Sequence, residues 1–189
     1  MSRVYLIRHA KPSSAWGGGD DDPGLDETGL AQALKARDAL MALPQGERPT
    51  QVVSSPLRRC LETAQPFANA IGAQIEIDAA VGEVPTPRHV PMEGRGEWLR
   101  QAFQGLWSEI EGDLDYEEWR KQVHDAVGER RNTAVFSHFV AINAVLSRLA
   151  GEDRVITYRP DHASITVLEV GEDGLSLVSR GPEAATQVL

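Results

Sequence analysis

Two histidines in this chain stand at equivalent places. Val4-Tyr5-Leu6-Ile7 runs into Arg8-His9, and Thr133-Ala134-Val135-Phe136 runs into Ser137-His138. Each run is apolar and rich in β-forming residues, which predicts a buried strand, and each stops at a polar pair where the following loop begins. Ligands of open α/β sheets bind outside the carboxyl ends of the strands, so both histidines are placed to meet one. Arg8 adds a planar fork of donors that suits phosphate oxygens, and a neutral imidazole beside it is a nucleophile for an electrophilic centre. A third strand-like run, Gln51 to Ser55, is followed by Pro56 and by Arg58-Arg59 at the opening of a helix, where exposed backbone N–H groups favour an anion. Adjacent helical residues point about 100° apart, so at most one of the two arginines enters a shared pocket. The chemistry these residues share is phosphoryl binding and transfer.

The positioning elements follow from the pattern of the rest of the chain. After the first strand, residues 12–23 hold three glycines in a row, three aspartates in a row and two prolines, which predicts a loop. Trp16 within it either covers a ligand or packs on the loop's own base. Leu25 to Leu43 is expected to be helical, with Leu30, Leu34, Met41 and neighbouring alanines spaced three and four apart, Pro44 beyond its end, and Asp26 or Thr28 as its cap. A second helix is expected from Pro56 to about Ile71, with Pro66 kinking or ending it. Gln74 to Asp78 alternates as an edge strand, and Val81 to Pro91 is a proline-rich loop with Glu83, Arg88 and His89. Helices are expected over Glu93 to Glu111 and Tyr116 to Arg130, their aromatics forming core rather than a binding stripe. An apolar helix from Phe139 to Ala150 ends at Gly151. A hairpin through Gly171 to Gly174 joins the last two strands, and the tail beyond Gly181 is expected to be loose.

The chain has 189 residues, 25% of them charged, which fits one globular domain with its own core. Its net charge of −9 argues against broad contact with nucleic acid or an anionic membrane, so any anion site must be a local basic pocket. Cys60 is the only cysteine, which leaves no intrachain disulfide and no cysteine-based metal site. With no apolar stretch of membrane-spanning length, the expected location is the cytoplasm. No pair of histidines has helical ligand spacing, so neither a metal nor another cofactor is expected.

Taken in order, Leu6-Ile7-Arg8-His9-Ala10, Leu25 through Gly29 with Gln32-Ala33, Ser54-Ser55-Pro56-Leu57-Arg58-Arg59-Cys60 with Thr63-Ala64, and Phe136-Ser137-His138 resemble the histidine phosphatase superfamily, the phosphoglycerate-mutase-like proteins. The resemblance spans residue 4 to about residue 170, with little contribution from 85–131. It implies an α/β fold, a three-layer α/β/α sandwich with a mostly parallel central sheet, as one domain carrying a helical or lid insertion at about 85–131. It also implies a phosphatase working through a covalent phosphohistidine on a small phosphorylated metabolite or a phosphoprotein. His9 would be the nucleophile, Arg8, Arg59 and His138 would hold the phosphoryl oxygens, and Glu83 would be the proton donor, ahead of Glu76 and Asp78. Ser13, His162 and Arg88 are candidates for further contacts to phosphate or substrate, with His89 and Arg95 as possible selectors. His162 alternatively caps a strand. Positive neighbours are expected to depress the pKa of His9, and burial beside phosphate to raise that of Glu83. The chain departs from the mutase branch at Ala10-Lys11-Pro12-Ser13 and Glu83-Val84-Pro85-Thr86, and has Phe139 and His162 where glycine and asparagine are common. A bisphosphate-dependent mutase and an inactive phosphate-binding regulator are the rival readings. Whether the protein is a monomer or a dimer is left open.

Overall fold

The first strand, β1 (Ser2–Arg8), is buried on both faces because each face carries a helical layer. Successive strand residues point to opposite faces. Val4 and Leu6 accordingly join one core cluster with Val53, Val135 and the apolar residues of two later helices, while Tyr5 and Ile7 join another with Val52, Phe136, Leu40 and Phe67. In this computed structural model, which describes residues 2–14 and 20–185, six strands order as β3-β2-β4-β1-β5-β6. Here β2 is Gln51–Ser54, β3 Ile75–Ile77, β4 Thr133–Ser137, β5 Ile165–Gly171 and β6 Gly174–Ser179. The first four in that order are mutually parallel; β5 and β6 add antiparallel at the far side. The result is the expected α/β sandwich.

The helices are α1 (Glu27–Met41), α2 (Arg58–Ile71), α3 (Arg95–Ala102), α4 (Tyr116–Gly128) and α5 (Phe139–Ala150). Among the described residues, none is long and apolar enough to cross a membrane. α1 packs on α2 over one face of the sheet and α4 on α5 over the other. The chains leaving β1 and β4 therefore diverge to opposite faces, which opens a crevice between these two neighbouring strands.

Several elements differ from the sequence expectation. Asp26 is the cap of α1, accepting from the Gly29 N–H at 2.7 Å, but the buried face is Gly29, Ala33, Ala36 and Leu40, and Leu30 and Leu34 are exposed. Small residues won because the helix seats closely: a Cβ on Gly29 would lie 2.1 Å from the Lys11 carbonyl oxygen. Pro66 does not end α2, whose apolar side (Ala64, Phe67, Ala68) is fully buried around it and outweighs the lost hydrogen bond. The helix expected over Glu93 to Glu111 is broken after Ala102. Its second half spends its backbone elsewhere, with Val155 N–H donating to Gly105 O and Trp107 N–H to Asp153 O. Trp107 is then buried, its indole N–H donating to Ser147 Oγ at 3.0 Å. The tail is not loose through residue 184: Ala184 N–H donates to Arg159 O and Asp161 N–H to Pro182 O. Trp16 lies outside the described residues.

Candidate active site

Parallel register brings the polar strand ends together. Arg8 is level with Ser137, and Ser54 with Phe136, so the chain continues into His9, His138 and Ser55 side by side. His9 N–H donates to Ser137 O and Ser55 N–H to Phe136 O, extending the ladder past the strands. The rings of His9 and His138 sit 5.3 Å apart between centroids, and His162 closes a third side 5.9 Å from His9. Arg8, His9, Arg59 and His138 are all buried, each 5% exposed or less.

His9 Nδ1 lies 2.8 Å from the Ala10 carbonyl, which can only accept. Nδ1 thus carries the proton and the lone pair is on Nε2. Burial first, then His138, Arg8 and Arg59, hold the pKa of His9 well below the usual histidine value. The ring is neutral at pH 7, as the sequence suggested, although burial rather than neighbouring charge is the larger cause. A short relay fixes the turn: Ala10 N–H donates to Thr63 Oγ1 at 2.9 Å, and that hydroxyl donates to Arg59 O at 2.6 Å.

His138 is oriented from behind. Ser55 Oγ accepts from Leu57 N–H at 3.4 Å and lies 2.8 Å from His138 Nε2, which holds the ring in place. Nδ1 faces Glu83 Oε2 at 3.4 Å and Arg59 Nη2 at 3.3 Å. Burial depresses the pKa of His138, partly countered by Glu83. Ser55 is a positioning residue that sequence reasoning passed over, although it ends its strand as His9 and His138 end theirs.

Glu83 is drawn into the cluster, 3.5 Å from Arg59 Nη2. Burial would raise its carboxyl, but His138, Arg59 and Arg95 outweigh burial and hold it at about 2. The shift is therefore opposite to the rise expected beside phosphate. Arg95, at the start of α3, is 8% exposed and donates to Val84 O at 2.8 Å, which ties α3 to the Glu83 loop. Glu76 and Asp78 instead pair with Arg130.

Arg8 donates through Nη1 to Pro160 O at 2.9 Å and through Nη2 to His162 Nε2 at 3.0 Å. His162 therefore faces Arg8 rather than capping a strand. Burial, then the Arg8 charge, push His162 down to about 4. Burial likewise lowers Arg8 to about 10, still charged at neutral pH. Phe139 lays its ring 5.2 Å from the Arg8 guanidinium carbon. The loop bearing Pro160 and His162 is held by Asn143, whose Oδ1 accepts from the Thr157 and Tyr158 N–H groups, and by Ala163 in the left-handed region at φ 57°. That conformation costs about 1–2 kcal/mol in a non-glycine residue and is offset by the surrounding bonds.

Of the two adjacent arginines, Arg59 enters the site, and Arg58 pairs with Glu62 at 2.6 Å on the surface. The anion at the N-terminus of α2 is internal: the Asp22 carboxylate accepts from Arg58 N–H at 2.9 and 3.1 Å and lies 4.0 Å from Arg59 Nη1. Arg88 is not gathered with the histidines; its side chain is 89% exposed and pairs with Asp113 at 3.2 Å. His89 is exposed as well, and Ser13 is an exposed residue whose N–H donates to Gly24 O.

The three histidines share one linkage consequence. Each is neutral when folded, so the unfolded chain takes up protons first as pH falls below about 6.5. Stability is fully present above that value and is lost downward, for His162 until about pH 4. Urea midpoints are expected to fall steadily from pH 7 to pH 4, and His162→Asn to flatten this slope by on the order of 1 kcal/mol, discounted for partial exposure. A slope identical in the variant would contradict the neutral, Arg8-bonded state of His162.

The crevice at the end of the parallel strands gathers two imidazoles, two buried guanidiniums and a carboxylate, groups whose chemistry suits a tetrahedral anion. The chain belongs to the histidine phosphatase superfamily (branch 1), whose family model matches residues 4–181. A 2,3-bisphosphoglycerate-dependent phosphoglycerate mutase from Thermoplasma acidophilum is 28% identical over 185 residues, covering 90% of this chain and 88% of that protein. The transcription factor tau 55 kDa subunit of Saccharomyces cerevisiae is 29% identical over 122 residues, 58% of this chain but only 27% of that protein. Among solved structures, a phosphoserine phosphatase variant from Entamoeba histolytica in complex with phosphoserine superposes with a TM-score of 0.73 at 19% identity, covering 96% and 97% of the two chains. A putative alpha-ribazole-5'-P phosphatase from Escherichia coli superposes with a TM-score of 0.74 at 16% identity, covering 99% of each.

Proposed function

We propose that this protein is a phosphomonoesterase that passes the phosphoryl group through Nε2 of His9, without a metal ion. The observation that carries this reading is the Ala10 carbonyl 2.8 Å from His9 Nδ1, which assigns the proton to Nδ1 and leaves Nε2 bare in a buried ring that feels the charges of Arg8 and Arg59 and packs against His138. The Nε2 lone pair attacks phosphorus, and the bond to the alcohol oxygen breaks. Arg8, Arg59 and His138 stabilise the equatorial oxygens, which carry the charge in the transition state. The leaving oxygen takes a proton from Glu83. Water then gives its proton back to Glu83 as it attacks the phosphohistidine, the P–N bond breaks, and inorganic phosphate leaves.

Glu83, held at about 2, is ionised at neutral pH, so it must gain a proton as the ester binds. A bound phosphate supplies the cause: its negative charge opposes a second anion at 83 and raises the carboxyl from about 2. A monoanionic ester brings the proton with it.

The test is a panel of phosphate esters assayed with chelator present, with phosphate release and positional transfer on phosphoglycerate measured side by side. Release with chelator, and no transfer, is the expected result. Transfer dependent on a bisphosphate would assign the chain to the mutase reading, and loss of release with chelator would overturn metal independence.

A further inference from the structure

We propose that Ser137 is a positioning residue for the proton donor, tying the loop that carries Glu83 to the strand end that carries His138; this rests on the phosphomonoesterase reading above. Ser137 is fully buried at the end of β4, and its hydroxyl donates to Val81 O at 2.6 Å. Its own carbonyl accepts the His9 N–H at 2.9 Å. One residue thus bonds to the nucleophile's backbone through its main chain and to the Glu83 loop through its side chain, immediately before His138. Residues two apart on a strand share a face, and Val135 on that face packs in the same core cluster as Val81. Another apolar side chain at 137 would serve that packing; a hydroxyl answers the buried Val81 carbonyl.

The bond can steer Glu83 because the chain between them is stiff. Val81 closes the 3₁₀ turn Ala79–Val81, in which Asp78 Oδ1 accepts from Ala80 N–H at 2.9 Å and Gly82 N–H donates to Ala79 O at 3.0 Å. A Cβ on Gly82 would lie 2.8 Å from that same oxygen, so the turn is closed tightly. A shift of the Val81 carbonyl is therefore passed on to Glu83. Beyond Glu83, Arg95 donates to Val84 O at 2.8 Å and Tyr116 OH to Pro85 O at 3.0 Å. Those two donors belong to the helical layer. Ser137, alone of the three, belongs to the sheet rim that presents His9 and His138, so it is the bond that sets Glu83 Oε2 3.4 Å from His138 Nδ1 and 3.5 Å from Arg59 Nη2. Without the hydroxyl, the Val81 carbonyl loses this donor and gains one by turning toward water, which draws Glu83 away from the leaving oxygen. Misplacement by about 1 Å can cost on the order of 10²-fold in rate.

Hydroxyethyl phosphate, whose alkoxide needs a proton to leave, and an aryl phosphate, whose phenolate does not, separate the placement of Glu83 from general damage to the site. Ser137→Ala should lower kcat/KM on hydroxyethyl phosphate by about tenfold or more and on the aryl ester by less than about threefold. Ser137→Cys retains a weaker donor at the same place, so its loss should fall between, and it carries the comparison if the alanine variant does not fold. In a Glu83→Gln background, Ser137→Ala should change kcat/KM on either ester by no more than about threefold, because the group it positions is gone. An equal fall on both esters, or the full fall repeated in Glu83→Gln, overturns the assignment.

Binding of inorganic phosphate, followed by calorimetry, tests the same placement without turnover. Glu83 is a like charge facing the phosphate, so Glu83→Gln should bind it roughly tenfold tighter, and Ser137→Ala, which withdraws the carboxylate, about threefold tighter or more. If no ester is hydrolysed yet phosphate affinity rises in this way, the phosphatase reading fails and the Ser137 assignment stands. Phosphate affinity unchanged or weakened in Ser137→Ala overturns it.

Discussion

Replacing His9 by alanine should lower phosphate release by about 10⁴-fold or more while leaving the fold and anion binding in place. The size follows from the step removed. Without Nε2 there is no covalent intermediate, and what remains is positioning and charge stabilisation by Arg8, Arg59 and His138; loss of a nucleophile in a concerted catalytic unit characteristically costs this much. His9 is buried, and among the described residues its side chain hydrogen-bonds to the Ala10 carbonyl alone, so truncation leaves one acceptor unfilled and the sheet ladder intact. The decisive readout is the intermediate itself. Rapid acid-free quench of the intact protein with labelled ester should trap phosphate on protein, stable to base and lost in acid as a phosphoramidate is, and His9→Ala should trap none. His138→Ala is the control: it should slow both formation and breakdown yet still label. Label surviving in His9→Ala would move the nucleophile to another residue.

The parts of this site that lie at strand ends were open to reading from sequence, and the parts fixed by pairing between distant loops were not. An apolar β run that stops at Arg8-His9 or at Ser137-His138 states its own register, because a parallel sheet aligns strand ends at one rim. Choosing Arg59 over Arg58 needed the resemblance, since helical geometry alone said only that one of them enters. Glu83 was nominated the same way. Asp22 was not found because nothing local marks a carboxylate that caps a helix 36 residues away. The exposure of Leu30 and Leu34 on α1 has a general cause as well: both satisfy the helical period, but Gly29, Ala33 and Ala36 permit closer seating, and periodicity does not weigh closeness. The tail was misread for the same reason as Asp22, its partners at Arg159 and Asp161 being set by the tertiary fold.

Glu83→Gln is expected to cut kcat by on the order of 10²- to 10³-fold and to change the shape of the pH profile, which separates a proton donor from a structural carboxylate. Glu83 is held at about 2 by His138, Arg59 and Arg95 against the opposing pull of burial. A bound phosphate turns that balance, and the group must be protonated to serve the leaving oxygen. The rate of the first step should therefore fall as pH rises through the raised carboxyl in the complex. Glutamine holds no titrating proton, so that alkaline limb should vanish while the residual rate stays flat. Esters with good leaving groups supply a second axis. An aryl phosphate whose phenolate leaves without protonation should lose less than tenfold in Glu83→Gln, and an alkyl phosphate the full amount. Dephosphorylation, where Glu83 takes the proton from water, should be slowed with either ester, so trapped phosphoenzyme should accumulate with the aryl substrate. A uniform loss of a few fold for both esters, with the limb unchanged, would mean that Glu83 only buttresses His138 and Arg59 and that another group carries the proton.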